Sequence, residues 1–289
     1  KAFYFSIFHA VSAFCNAGIS PLPGNLSGYV GDYIVNIGIT GLIILGGLGF
    51  NVIIDLQRFI FRRDKVRKLA LHSKIVLLVT SLLLVLGTLT FFFTEYHGAM
   101  KGFSVSNRVL ASWFQSVTSR TAGFNTIDNG ALCKGSLLIT IILMFIGASP
   151  GSTGGGIKTT TFAVLVLSIV GMFKGTRDLS IFNRRIPNSN SREATSLIVL
   201  SAMIIFIVLF VLLLVEPFVF EDLMFEAVSA FGTVGLSTGI TPLLTTLGKL
   251  LIALLMYVGR IGPLTLIYAF AIKKSTVNLG YAEEKIAIG

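Results

Sequence analysis

Apolar stretches long enough to cross a bilayer recur along this chain, separated by short polar links. About 20 helical residues cover the ~30 Å of a hydrocarbon core. By that measure the pattern predicts spans at Tyr33–Leu56, Ile75–Phe93, Leu137–Phe173, Thr195–Val219 and Leu244–Ile272. The third is too long for one crossing, and Gly151-Ser-Thr-Gly-Gly-Gly156 breaks it.

A shorter motif repeats on one side of these spans. Phe8-His-Ala-Val-Ser-Ala-Phe-Cys-Asn-Ala-Gly-Ile-Ser20 aligns without gaps on Phe225-Glu-Ala-Val-Ser-Ala-Phe-Gly-Thr-Val-Gly-Leu-Ser237, with eight of thirteen positions identical. Phe114-Gln-Ser-Val-Thr-Ser-Arg-Thr-Ala-Gly-Phe-Asn125 is a third copy, one residue shorter before its glycine. Each copy reads as an outer helix, a half-helix of about ten residues, a glycine-centred turn and an inner helix. Ten residues cannot cross a bilayer, so these segments dip in and return. Non-helical backbone at membrane depth must be buried in protein or line a wet cavity.

Several such turns on one axis make a filter. Helix C-termini carry partial negative charge and favour a cation there. The carbonyls of Asn16, Ala17 and Gly18, of Thr121, Ala122 and Gly123, and of Thr233, Val234 and Gly235 can replace an ion's hydration shell. Glycine permits positive φ and close backbone approach. Membrane glycines ordinarily serve close helix packing; three aligned copies on one face favour the filter.

Composition agrees. Hydrophobic residues make up 54% of the chain and charged residues 12%, with a mean hydropathy of +0.86. A soluble domain carries about 25% charge. The net charge of +10 is concentrated in alternate links rather than spread over a nucleic-acid-binding face. Arg58, Arg62, Arg63, Lys65, Arg67, Lys68 and Lys74 fill the first link; Lys174, Arg177, Arg184, Arg185 and Arg192 fill the third. Lys273, Lys274 and Lys285 follow the last span. The other links hold Glu95, His97 and Lys101, then Glu216, Glu221 and Asp222. The positive-inside rule puts the basic links and the C-terminus in the cytoplasm. Two cysteines, Cys15 and Cys133, make no disulfide framework, and His9, His72 and His97 share no ligand spacing. The chain opens on Lys1 inside an apolar stretch, with no signal peptide, which reads as a cut start.

Three further features carry candidate chemistry. The break at Ala148-Ser-Pro-Gly-Ser-Thr-Gly-Gly-Gly-Ile-Lys158 frees backbone groups that need water or partners, and so belongs against the pathway. It approaches a phosphate-binding loop, but Ile157 separates Gly156 from Lys158 and no soluble strand precedes it. Arg260 lies in the apolar run Leu250–Ala271, where burial costs at least ~2.5–3.5 kcal/mol and a partner or water is expected; the carbonyls freed at Gly154–Gly156 are the expected acceptors for its guanidinium. Arg120, beside the second turn, is expected to bind acidic or carbonyl groups behind it.

Through Ser119-Arg-Thr-Ala-Gly-Phe-Asn125, Gly151-Ser-Thr-Gly-Gly-Gly-Ile-Lys158 and Gly259-Arg-Ile-Gly-Pro-Leu-Thr265 the chain resembles the Trk/Ktr/HKT superfamily of potassium transporters, most closely its bacterial KtrB-type membrane subunit. The resemblance implies an all-α polytopic membrane protein with tandem outer helix–pore loop–inner helix repeats in pseudo-fourfold arrangement around one pore. It divides the chain into a pore loop and inner helix over 1–70, a complete repeat with a broken inner helix over 71–185, a third repeat over 186–274 and a cytoplasmic tail over 275–289. An N-terminal repeat is then expected ahead of residue 1. The resemblance implies potassium as the transported ion and Na⁺ as a candidate activator, with no organic cofactor. It makes Gly151, Gly154, Gly155, Gly156 and Lys158 a mobile intramembrane gate, with Arg260 as a barrier to cations beside it. It also implies a homodimer in the bacterial inner membrane, a dimer contact in the tail Tyr281–Gly289, and a cytosolic RCK-type, KtrA-like ring that binds ATP or ADP. Residue chemistry leaves open a sodium-permeable relative and a secondary transporter of an organic solute, although the latter usually shows inverted repeats. No converging carboxylates, Ser/His arrangement or metal cluster points to an enzyme.

Overall fold

The computed structural model describes residues 2–61, 68–175 and 179–262. Arg62, Arg63, Lys65, Arg67, Arg177, Lys273, Lys274, Lys285, the Pro263–Thr265 end of the third motif and the tail Tyr281–Gly289 lie outside the described residues.

The fold is helical, as the apolar runs require. Helices α1 (Ala2–Phe14), α5 (Val105–Thr118) and α9 (Phe220–Phe231) are the three half-helices. At 12 to 14 residues each is about 20 Å long, well short of a crossing. Outer helices α4 (Leu71–Thr94) and α8 (Asn188–Val215) are each long and apolar enough to cross a membrane. The inner helices are α2 (Tyr33–Leu48), α6 (Lys134–Phe145) continued by α7 (Thr159–Phe173), and α10 (Thr246–Ile261). Packing follows the repeat. The half-helices α1 and α9 lie on their own inner helices α2 and α10, and α5 and α9 lie on their outer helices α4 and α8. Inner helices α2 and α6 also pack on the half-helix of the next unit, α5 and α9. Phe114 and Phe225, which open the second and third copies of the motif, are fully buried between these layers.

Two elements differ from the expected layout. The span read as Tyr33–Leu56 is two helices, α2 and α3 (Phe50–Phe61), meeting at 102°. The corner is Gly49 at φ 88°, and a side chain there would collide with the Pro150 carbonyl. The link between α7 and α8 contains a hairpin, β1 (Leu179–Ile181) with β2 (Arg184–Ile186), in register Leu179↔Ile186. Its two-residue turn, Phe182 and Asn183, has φ of 51° and 57°, the double positive φ of a type I′ turn. Leu179 and Ile186 are buried against Ile75, Ala163 and Ala194, so the hairpin clasps α4, α7 and α8.

Candidate functional site

The three turns have one backbone geometry. Asn16, Thr121 and Thr233 sit at φ 50°, 70° and 49°, unusual for non-glycine residues, and Gly18, Gly123 and Gly235 follow at 66°, 81° and 91°. The residue between, Ala17, Ala122 or Val234, keeps negative φ. In the first and third copies the half-helix closes identically: Ala17 N donates to Ser12 O and Val234 N to Ser229 O, both at 2.9 Å. The second copy, one residue shorter, closes one residue tighter, from Ala122 N to Thr118 O at 3.0 Å. Each half-helix thus delivers its C-terminal end directly to its turn.

The turns also meet. A Cβ added to Gly18 would lie 2.7 Å from Gly123 Cα, and one added to Gly123 would collide with Val234 O. Gly235 completes the cluster, with its Cβ position 3.7 Å from Gly123 Cα. Any larger residue at Gly18 or Gly123 has to displace backbone.

A set of hydroxyls on the half-helices holds the turns from behind. Ser12 Oγ donates to Ile19 O at 2.8 Å, Thr118 Oγ1 to Phe124 O at 2.7 Å and Ser229 Oγ to Leu236 O at 2.6 Å. In every copy the acceptor is the carbonyl just after the glycine, drawn into the protein. The repeat contained this signal, because Ser12, Thr118 and Ser229 align; the sequence reading gave them no role.

The broken inner helix supplies the next layer. Between α6 and α7, residues 146–158 form a loop pinned by its own flanks, with Ile157 N donating to Phe145 O at 3.1 Å and Thr159 Oγ1 to Ser149 Oγ at 3.1 Å. The α2–α3 corner also holds it, through Ser149 N to Gly47 O at 3.0 Å and Phe50 N to Gly151 O at 3.0 Å. Its glycines lie directly against the turns: a side chain on Gly154 would strike the Thr121 hydroxyl, and one on Gly155 the Thr233 hydroxyl. Those two hydroxyls have no hydrogen-bond partner among the described residues.

Three cations surround this loop. Arg260 Nη1 donates to Thr153 O at 2.6 Å, and Lys158 Nζ to Gly154 O at 2.8 Å. Arg260 therefore meets the loop one residue before the expected Gly154–Gly156 carbonyls, because Lys158 and the Ala148 amide occupy those of Gly154 and Gly155. Arg260 is exposed, in the last turn of α10, and Gly262 at φ 89° closes that helix; the rest of the expected span, residues 263–272, lies outside the described residues. Arg120 is buried, and its Nη2 donates to Gly147 O at 3.1 Å, a carbonyl behind the turn as its position predicted.

Comparison with known proteins matches this architecture. The family model for TrkH, cation transport protein, matches residues 2–279. The chain is 42% identical over 286 residues to the Ktr system potassium uptake protein B of Bacillus subtilis, covering 98% of this chain and 63% of that one. It is 40% identical over 298 residues to the potassium/sodium uptake protein NtpJ of Enterococcus hirae, covering all of this chain and 65% of the relative. The chain thus spans a little under two thirds of the length of these relatives. The crystal structure of the potassium transporter TrkH from Vibrio parahaemolyticus superposes with a TM-score of 0.77 at 18% identity, over 93% of this chain and 58% of that one. The chain belongs to the TrkH family of cation transport proteins, a family of membrane transporters rather than enzymes, and within the Trk/Ktr superfamily it is Ktr-like.

Proposed function

We propose that this chain walls most of a potassium uptake pathway across the bacterial inner membrane, with its C-terminus in the cytoplasm. The observation that carries this reading is the meeting of three turns with one repeated backbone geometry, each at the C-terminal end of a half-helix. Backbone oxygens there, with the free hydroxyls of Thr121 and Thr233, form a dry set of hard ligands suited to a dehydrated monovalent cation. One glycine per turn gives a short ladder of sites. The loop over 146–158 acts as the gate: it crosses beneath the turns and brings the charges of Lys158 and Arg260 onto successive carbonyls. By family pattern the protein works as a homodimer with one pore per protomer, regulated by a cytosolic KtrA-like RCK ring that binds ATP or ADP. That ring would meet the basic links.

The test is selectivity. Gly123→Ser and Gly235→Ser force a side chain onto positive φ, a strain of ~1–3 kcal/mol, which predicts about a tenfold loss of potassium preference. Potassium and sodium fluxes are compared in cells lacking their own potassium uptake. An unchanged ratio in both variants, at normal expression, removes these turns from the filter. A second reading, a pathway that also carries sodium, is favoured by the 40% identical relative named for potassium/sodium uptake. The unsubstituted protein decides it in the same assay, as does any stimulation of potassium flux by external Na⁺.

A further inference from the structure

Each half-helix carries a polar side chain immediately after its leading phenylalanine, at His9, Gln115 and Glu226. The three residues differ in chemistry and are all buried. They nevertheless serve the same place, the residue two beyond the glycine, His9 and Glu226 directly and Gln115 through Asn129. His9 Nε2 meets Ser20 Oγ at 2.8 Å, while its Nδ1 lies 2.7 Å from Phe5 O. A carbonyl only accepts, so Nδ1 carries a proton, and in the neutral ring Nε2 then accepts from Ser20 Oγ. Gln115 Nε2 donates to Asn129 Oδ1 at 2.9 Å, and Asn129 Nδ2 to Asn125 Oδ1 at 3.3 Å. Glu226 Oε1 accepts from Ser237 Oγ at 2.5 Å, and its Oε2 accepts from Thr241 Oγ1 at 2.7 Å.

These contacts form a second brace, outside the Ser12, Thr118 and Ser229 hydroxyls. The inner brace fixes the carbonyl after the glycine; the outer one fixes the strand leaving it. The three copies are unequal. Only Glu226 offers two oxygens without a competing donor, and it gathers two hydroxyls, with Ser237 Oγ also accepting from Gly239 N at 2.8 Å. Two hydroxyls on one side chain, against one direct contact at His9 and a relayed one at Gln115, make the third turn the most firmly held.

We propose that Glu226, with Ser237 as its partner, is a positioning residue for ion selection: it holds the strand after Gly235, and through it the Gly235 carbonyl, in register with the other two turns. His9 does the same for the first turn through one bond to Ser20, and Gln115 for the second through a relay over Asn129 to Asn125. This inference rests on the turns being the filter. It goes further in assigning discrimination to side chains that never face the ion.

The experiment measures potassium-to-sodium flux ratios per folded protein for the full-length transporter carrying Glu226→Ala, Glu226→Gln, Ser237→Ala or Glu226→Ala with Ser237→Ala, beside Gly235→Ser. Glu226→Ala and Ser237→Ala should each lower the ratio about fivefold or more, the equivalent of about one net hydrogen bond. The double substitution should add little, since both break one link. Glu226→Gln should recover most of the ratio, because an amide oxygen can still accept from Ser237. Ser237→Ala is a small change at a half-buried site and reports on the link even if Glu226→Ala folds poorly. If Gly235→Ser shifts the ratio while Ser237→Ala and Glu226→Ala leave it unchanged, the positioning role is wrong and the filter reading stands. If Glu226→Gln behaves as Glu226→Ala does, charge rather than tethering is responsible, and the proposal is overturned. If Gly235→Ser itself has no effect, both readings fall.

Discussion

Arg260 and Thr153 are joined across the molecule by a single hydrogen bond of 2.6 Å, guanidinium to backbone carbonyl, which fastens α10 to the loop below the turns. A charged donor on a carbonyl contributes ~1.5–3 kcal/mol. Because the acceptor is backbone, only the arginine can be removed by substitution. Arg260→Ala should therefore release the loop and raise unregulated potassium flux about tenfold. It should also make that flux less dependent on a cytosolic regulator. Flux per folded protein, with and without the regulator, is the measurement; wild-type rates under both conditions would exclude a gate at this bond.

The inner brace gives a separate test. Ser229→Ala and Thr118→Val each free a carbonyl that is now drawn away from the axis. Each should cost about one hydrogen bond, ~1 kcal/mol, and lower the potassium-to-sodium ratio about fivefold. Paired ion fluxes decide this, and ratios equal to wild type in both variants would make the hydroxyls packing groups only.

Glu95 and Glu216 predict a stability effect shared by two units. Each closes an outer helix and accepts from the backbone amide that opens the inner helix: Cys133 N at 2.9 Å for Glu95 and Thr245 N at 3.0 Å for Glu216. In the first unit α2 is capped by its own Asp32. Burial pushes the Glu95 carboxyl up, but bonds from Ser136, Ala99 and Cys133 outweigh it and leave its pKa below the ordinary value. A depressed folded pKa means that the stabilisation is present above the unfolded carboxylate pKa. It is lost as pH falls through the lower, folded value. Thermal melts in detergent should thus show Glu95→Ala costing ~1–3 kcal/mol near neutral pH and progressively less in acid. A cost that stays constant through the acid range would contradict the capping role.

The ion pair of Lys134 and Glu221, 2.7 Å long, should by contrast contribute nothing measurable. Both groups are open to solvent, each shifts the other's pKa toward the charged form, and exposed pairs are screened. Lys134→Ala should melt with the parent at physiological salt; a clear drop would show that this contact ties α6 to α9 more firmly than its exposure allows.

The sequence exposed what repeats and what breaks. The three turns were legible because identity across copies survives even when the second drops a residue, and the break over 148–158 because proline and four glycines cannot continue a helix. The 102° corner was not, since Gly46-Gly-Leu-Gly49 sits in a uniformly apolar run and hydropathy carries no direction. The hairpin was hidden by strands of three residues with a Phe-Asn turn. The outer brace escaped because His9, Gln115 and Glu226 share position but not identity. Arg260 was placed in the right neighbourhood and against the wrong carbonyl, for hydropathy locates a helix but not where its last turn ends.

The corner at Gly49 makes α2, α3 and the loop a bell crank. Helix α3 is an arm about 18 Å long, and its near end, Phe50, is bonded through its amide to the Gly151 carbonyl. The far end of the arm runs into the basic first link. The loop of the second unit is thus tied at Gly151 to a helix of the first, so the two units share one joint.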